Sequence, residues 1–224
     1  MRRLIWVFAL TFAANASGWQ GVEPVSGRRI APVMSAAGAE WLDRPERAAE
    51  EQPGKALDAL NLKPGMTVAD IGAGTGYMTL RIARRIAPSG HVYGVDIQPE
   101  MIRRLEANAA RAGLANVRPV LGAPKDPKLP ENAIDLALMV DVYHELAEPQ
   151  AMLRALRVAL KPDGRLVLLE YRKEDPTIPI RPDHEMTVAE AKLEVEAEGY
   201  RLSRVVETLP RQHILIFRKR APRL

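Results

Sequence analysis

Five short, continuously apolar runs separated by amphipathic helical patterns constrain the fold more than any other feature of this 224-residue chain. The runs are Thr67–Ile71, His91–Asp96, Val117–Leu121, Ile134–Val140 and Arg165–Glu170. Strands apolar on both faces belong to a parallel sheet covered on both sides, and parallel neighbours need crossover connections. The helical patterns between them supply the cover. Tyr77–Ala87 places Met78, Ile82 and Ile86 on one face, and Pro99–Ala112 places Met101, Leu105 and Ala112 inward with Gly113 as its C-cap. Pro149–Leu160 forms a third helix. Thr187 to Glu190 reads as a capping box that opens a helix ending at Gly199. Tyr200–Leu209 and Ile214–Lys219 are then joined by only four residues, which permits nothing but an antiparallel hairpin. The expected fold is α/β, a doubly wound seven-stranded sheet whose last strand is antiparallel, with helices on both faces.

The chain divides unevenly. Met1-Arg2-Arg3, the apolar run Leu4–Ala14 and the small residues of Ala14-Asn15-Ala16 have the order of an export signal over residues 1–16. Eleven residues span only about 16 Å as a helix, too short for a stable membrane crossing. Residues 17–35 lack periodicity and read as a linker, and residues 36–224 as one domain with an N-terminal helical cover. In that cover, Asp43-Arg44-Pro45-Glu46 is expected to cap a helix, and Pro53 to begin a second. Cysteine is absent, so disulfides and thiolate metal sites are excluded. Removing Arg2 and Arg3 from the 32 basic residues leaves 30 against 28 acids. With aromatics at only 5%, this near-neutral balance gives no reason to expect a nucleic-acid partner.

The chemistry begins at Asp70-Ile71-Gly72-Ala73-Gly74-Thr75-Gly76-Tyr77, where a strand becomes a helix. Glycines there let the backbone turn tightly and approach a ligand. The spacing is Gly-x-Gly-x-Gly, unlike the dinucleotide pattern, and no Gly-Lys-Ser/Thr of a phosphate loop follows. Asp70 sets a carboxylate where a pyrophosphate would be repelled and where an amine or sulfonium would be welcome. Asp96, ending the second strand, stands where a carboxylate accepts both ribose hydroxyls.

These residues, with Leu160-Lys161-Pro162-Asp163-Gly164 before the fifth strand, resemble the class I S-adenosylmethionine-dependent methyltransferases over about residues 40–220. The resemblance implies strand order 3-2-1-4-5-7-6 and S-adenosyl-L-methionine as cofactor. It implies that Asp70, Gly72, Ala73, Gly74 and Tyr77 hold the methionine end, Asp96 the ribose and Ile97 the adenine. Gly122 and Ala123 would line the adenine edge through their backbone, and Asp141 completes the set.

An acceptor would lie at the carboxyl ends of the strands. Those ends carry Asp141-Val142-Tyr143-His144-Glu145 and Glu170-Tyr171-Arg172, with Arg211-Gln212-His213 near the last hairpin. The proline-rich stretch from Lys173 to Met186 is positioned to fold over them as a lid. His144 and Glu145 are the catalytic candidates, His144 as a general base. Tyr143, Glu170, Arg172, His184 and His213 are the substrate-binding candidates. Metal binding by the histidines competes with these roles, and so does a solvated-loop role; the site assignment includes no metal. Asp141-Val142-Tyr143-His144 departs from the Asn/Asp-Pro-Pro-aromatic pattern of amide methylation.

The expected function is methyl transfer from S-adenosylmethionine to a small molecule. The alternatives are an aminopropyltransferase-like enzyme and a non-catalytic cofactor-binding module at the cell envelope. An export signal implies an exported, periplasmic protein. The cofactor is made in the cytoplasm, which is the alternative location.

Overall fold

The computed structural model describes residues 21–221. The segment expected as an export signal lies outside the described residues.

The central strands form as their apolar runs require. β1 (Thr67–Ile71), β2 (His91–Asp96), β3 (Val117–Leu121), β4 (Ile134–Val140) and β5 (Leu160–Arg172) are all parallel. A two-residue strand, β6 (Glu185–Met186), adds to the far end of β5. β7 (Tyr200–Val206) and β8 (Gln212–Lys219) form the expected hairpin, and β8 runs antiparallel to β5. The order β3-β2-β1-β4-β5-β8-β7 is the expected path, with β6 raising the last two numbers by one.

Side chains on a strand alternate between faces, so each central strand feeds two cores. On one face Ala69, Ile71, Ala137, Met139, Leu166 and Leu168 pack with Met152, Leu153 and Leu156 of the helix Pro149–Ala159. On the other, Val68, Leu136, Leu138, Val167 and Leu169 pack with Ile82 and Ile86 of the helix Thr79–Ile86. In chain order the helices are α1 (Ala39–Leu42), α2 (Arg47–Glu51), α3 (Pro53–Ala59), α4 (Thr79–Ile86), α5 (Pro99–Arg111), α6 (Pro149–Ala159) and α7 (Val188–Ala197). The capping box of α7 forms, with Thr187 and Glu190 bonded reciprocally. The one expected at Asp43 does not. Glu46 stands at the N-cap of α2 without a side-chain bond, and Asp43 instead accepts from Thr75 Oγ1 at 2.8 Å.

The expected linker needs a larger correction over residues 21–35. This segment crosses the carboxyl ends of the strands and is bound to both sides of the domain. Arg28 makes a bidentate pair with Glu194 of α7, 3.0 Å at each contact, and donates to the carbonyl of His144 at 3.0 Å. Ala31 N donates to the same carbonyl at 3.0 Å. At its far end, Gln98 before α5 donates to the Met34 carbonyl and accepts from Ala36 N, both at 2.9 Å. The order comes from polar contacts with distant residues, which hydrophobic periodicity does not register.

Candidate cofactor and acceptor site

Three turns meet above β1, β2 and β4. Gly72 follows β1 with φ +74°, and a Cβ there would lie 2.4 Å from Val142 Cγ2. Gly74 has φ +54°, and its Cβ would lie 2.9 Å from Leu42 of α1. Only glycine permits both the left-handed backbone and this closeness. The loop is tied to β2 by Gly72 N and Ala73 N, which donate to the Val95 carbonyl at 2.8 and 2.9 Å.

Asp96 joins the loop to the entry of α5. One of its oxygens accepts from Gly74 N and the other from Gln98 N, each at 2.9 Å. The Ile97 amide also faces this carboxylate, and with two acceptor positions on each oxygen at least one remains for a ribose hydroxyl. Ile97, 40% exposed, presents the apolar surface expected beside adenine. Gly122 N and Ala123 N donate to the carbonyls of Asp96 and Asp126. The backbone contacts expected there are therefore restricted to carbonyl groups, because both amides are engaged.

Asp70 is buried and accepts from Thr79 Oγ1 at 2.6 Å. Burial pushes its carboxyl up to about 6, against the Thr79 bond and the Arg47 charge. Asp141, at φ 54°, accepts from Gln212 through one oxygen at 2.7 Å, while the other is buried with no protein donor. Burial and the neighbouring Glu51 and Glu170 raise it well above the ordinary range. Tyr77 lies between the guanidinium groups of Arg47 and Arg81, 4.2 and 3.8 Å from its ring centroid, with its buried hydroxyl unpartnered. Arg47 is paired with Glu51 at 2.7 Å. Such a group of carboxylates, with Arg47 already paired and with unpaired acceptor and donor atoms at Asp141 and Tyr77, fits a sulfonium-bearing amino acid. Asp70 and Asp141 suit the ammonium, and Arg47 with the Tyr77 hydroxyl suits the carboxylate.

At the acceptor end, a 3-10 turn over Tyr143–Glu145 follows β4. Glu170 of β5 lies within it, 2.5 Å from His144 Nδ1 and accepting from Tyr143 N at 2.9 Å. His144 Nε2 meets His184 Nδ1 at 3.0 Å, the rings nearly perpendicular at 72°. Burial opposes charge on His144, but Glu170 prevails and raises its pKa. Burial and the His144 charge lower His184 to about 4. Burial raises Glu145 to about 7.

Other expected acceptor residues have different work. Tyr143 is buried in the core beside α6, not in a pocket wall. Glu170 is fully buried and orients His144; both its oxygens are used. Arg172 clamps the β7–β8 turn through Glu207 and the carbonyls of Leu209, Pro210 and Gln212. His213 is held between Glu207 and Glu174 at 2.7 and 2.8 Å. Of the three histidines expected at this edge, His144 and His184 converge and His213 does not. Ile178, Pro179 and Ile180 of the proline-rich loop line a cleft of about 180 Å³ with Trp41, Arg44 and Arg211. Sequence reasoning missed Arg47, Glu51 and Gln98. The i, i+4 spacing of Arg47 and Glu51 was the only available signal.

A family model described as a methyltransferase domain matches residues 62–209. The chain belongs to this family, the class I S-adenosylmethionine-dependent methyltransferases. Its cofactor is S-adenosylmethionine. A solved SAM-dependent methyltransferase from Aquifex aeolicus superposes with a TM-score of 0.78 at 30% identity, covering 83% of this chain and 98% of that one. Nocamycin O-methyltransferase of Saccharothrix syringae is 32% identical over 62% of this chain and 48% of its own length. Ubiquinone/menaquinone biosynthesis C-methyltransferase of Burkholderia cenocepacia is 32% identical over 50% of this chain and 46% of its own. The chain thus spans about half the length of these curated relatives.

Proposed function

We propose that the protein transfers a methyl group from S-adenosylmethionine to a small-molecule acceptor bound at the carboxyl end of the sheet, beside the paired His144 and His184. The observation that carries this reading is the buried, unpartnered oxygen of Asp141, a residue between β4 and the 3-10 turn at His144. The cofactor supplies an electrophilic methyl group on a good leaving group. The protein's part is therefore alignment and exclusion of water, which by themselves account for large rate effects. Asp70, Asp96 and Asp141 hold and orient the ligand, and α1 with residues 31–36 covers it. The acceptor's proton leaves toward His144, Glu145 and His184. Two relatives whose names carry small molecules, nocamycin and the ubiquinone/menaquinone pair, support an acceptor of that size. An export signal over residues 1–16 belongs to the same proposal, tested by fractionating cells that express the full chain.

Calorimetric titration of the full chain with S-adenosylmethionine tests the cofactor half. Saturable one-to-one binding that Asp96→Asn weakens is the expected result. A panel of small hydroxylated and aminated acceptors, scored by release of S-adenosylhomocysteine, tests the other half. Cofactor binding without turnover on any acceptor would favour a binding module instead.

A further inference from the structure

His144, Glu145 and His184 each offer one ligand atom, and the three atoms lie close together. We propose that they form a site for a single divalent metal ion of the zinc type, at the carboxyl ends of β4 and β5. The function assigned to that ion below rests on the methyltransferase reading; the site itself does not.

The distances carry the argument. His144 Nε2 lies 3.0 Å from His184 Nδ1 and 3.9 Å from Glu145 Oε1, and His184 Nδ1 lies 3.6 Å from the same oxygen. A triangle with these sides is acute and has a circumradius of about 2.1 Å, so one point inside it is equidistant from all three atoms. Zinc bonds to imidazole nitrogen and carboxylate oxygen are about 2.0–2.2 Å long. An ion close to that point would have three bonds of ordinary length without backbone movement.

The surroundings are those of a metal centre. A ligating imidazole usually has its other nitrogen held by a carboxylate, which orients the ring and increases its basicity. Glu170 does this for His144, 2.5 Å from Nδ1, and is itself held by Tyr143 N at 2.9 Å. In its neutral form, with Nδ1–H given to Glu170, His144 presents a lone pair at Nε2, the nitrogen that faces the cluster. The second oxygen of Glu145 accepts from Met34 N at 3.4 Å. The ligands stand on short 3-10 turns, Tyr143–Glu145 and Pro182–His184, and β6, which follows the second, is hydrogen-bonded to β5. Two imidazoles and one carboxylate also match the donor set of zinc sites with three protein ligands and an open fourth position.

An ion there changes how the acceptor's proton is handled. His144 becomes a ligand, and an acceptor hydroxyl in the open position becomes more acidic, as water does on zinc. Its proton passes to solvent. The oxygen then forms the new bond to the methyl carbon as the carbon–sulfur bond breaks, and that electron pair stays on sulfur.

The test uses the full chain, stripped with chelator and titrated with Zn(II) alone, followed by gel filtration and metal analysis. Calorimetry with S-adenosylmethionine is run on the same samples. One equivalent of retained zinc is expected, together with the visible absorption of a four-coordinate site when Co(II) replaces it. His184→Ala should abolish retention while leaving cofactor binding intact. Glu170→Gln should weaken the metal by about 10–100-fold. Failure of folded, cofactor-binding protein to retain zinc would overturn the proposal, as would retention that survives His184→Ala. Zinc retention without cofactor binding would instead refute the methyltransferase reading and leave the metal site standing.

Discussion

The buried carboxyl of Asp70 ties the stability of the domain to pH in a way that one substitution exposes. Its carboxyl is buried and raised from 3.8 to about 6, mainly by burial. Each tenfold change in proton affinity is about 1.4 kcal/mol, so ionising Asp70 in the folded, ligand-free protein costs about 3 kcal/mol. Between those two pH values the unfolded chain has lost the proton and the folded one has kept it. This contribution therefore falls as pH rises through that window and is constant above it. The groups facing Asp70 are Thr79, Arg47 and Asp96. Asp70→Asn removes the charge and keeps an oxygen for Thr79, at a cost of about 1 kcal/mol for the weaker neutral hydrogen bond. The expected net gain is about 2 kcal/mol at pH 8, a rise in Tm of about 4–8 °C for a domain of this size. At pH 4.5 about 2 kcal/mol of that gain is lost and the variants should melt together. Thermal unfolding of both proteins at the two pH values, with and without S-adenosylmethionine, measures this directly. The variant should also lose most of the cofactor's stabilising effect. A variant less stable than the parent at pH 8, or an equal difference at both pH values, would refute the reasoning.

Three further outcomes follow from the same geometry. Asp96→Asn faces one backbone N–H with an amino group and should weaken S-adenosylmethionine binding by about 1.5–3 kcal/mol, or roughly 10–150-fold, by calorimetry. Gly72→Ala drives a Cβ toward Val142 at a positive φ; overpacking and backbone strain together should cost about 2–5 kcal/mol in denaturant unfolding. Arg28→Met leaves Glu194 buried without its partner and frees the crossing segment; a loss of about 3–5 kcal/mol is expected, with faster proteolysis within residues 21–35.

How much of this was legible in the chain depends on the range of the interactions. Residues 67–71 and 134–140 announce buried strands because every side chain in a central parallel strand is covered, and that pattern is local. Asp70, the glycines and Asp96 are likewise legible, since a strand-to-helix turn and a strand end are defined by their immediate neighbours. The three histidines were harder. Residue type and position at strand ends brought His144, His184 and His213 to the same edge of the sheet. Only the packed structure separates the pair that meets from the one held by Glu207 and Glu174. Arg172 was misread for the same reason, its carbonyl partners being exposed by a hairpin turn about 35–40 residues further on.

By itself the sequence determined the order of strands and helices, the glycine turn and the acids placed beside it, because short-range periodicity and backbone sterics dictate these. The tertiary structure alone decided that residues 21–35 are a bound strap, and that Glu170 orients His144 instead of touching substrate. It also brought His144, Glu145 and His184 within ligand distance of one another. Those outcomes depend on contacts between residues 26 to 168 positions apart, which exist only once the two cores have set the strands side by side.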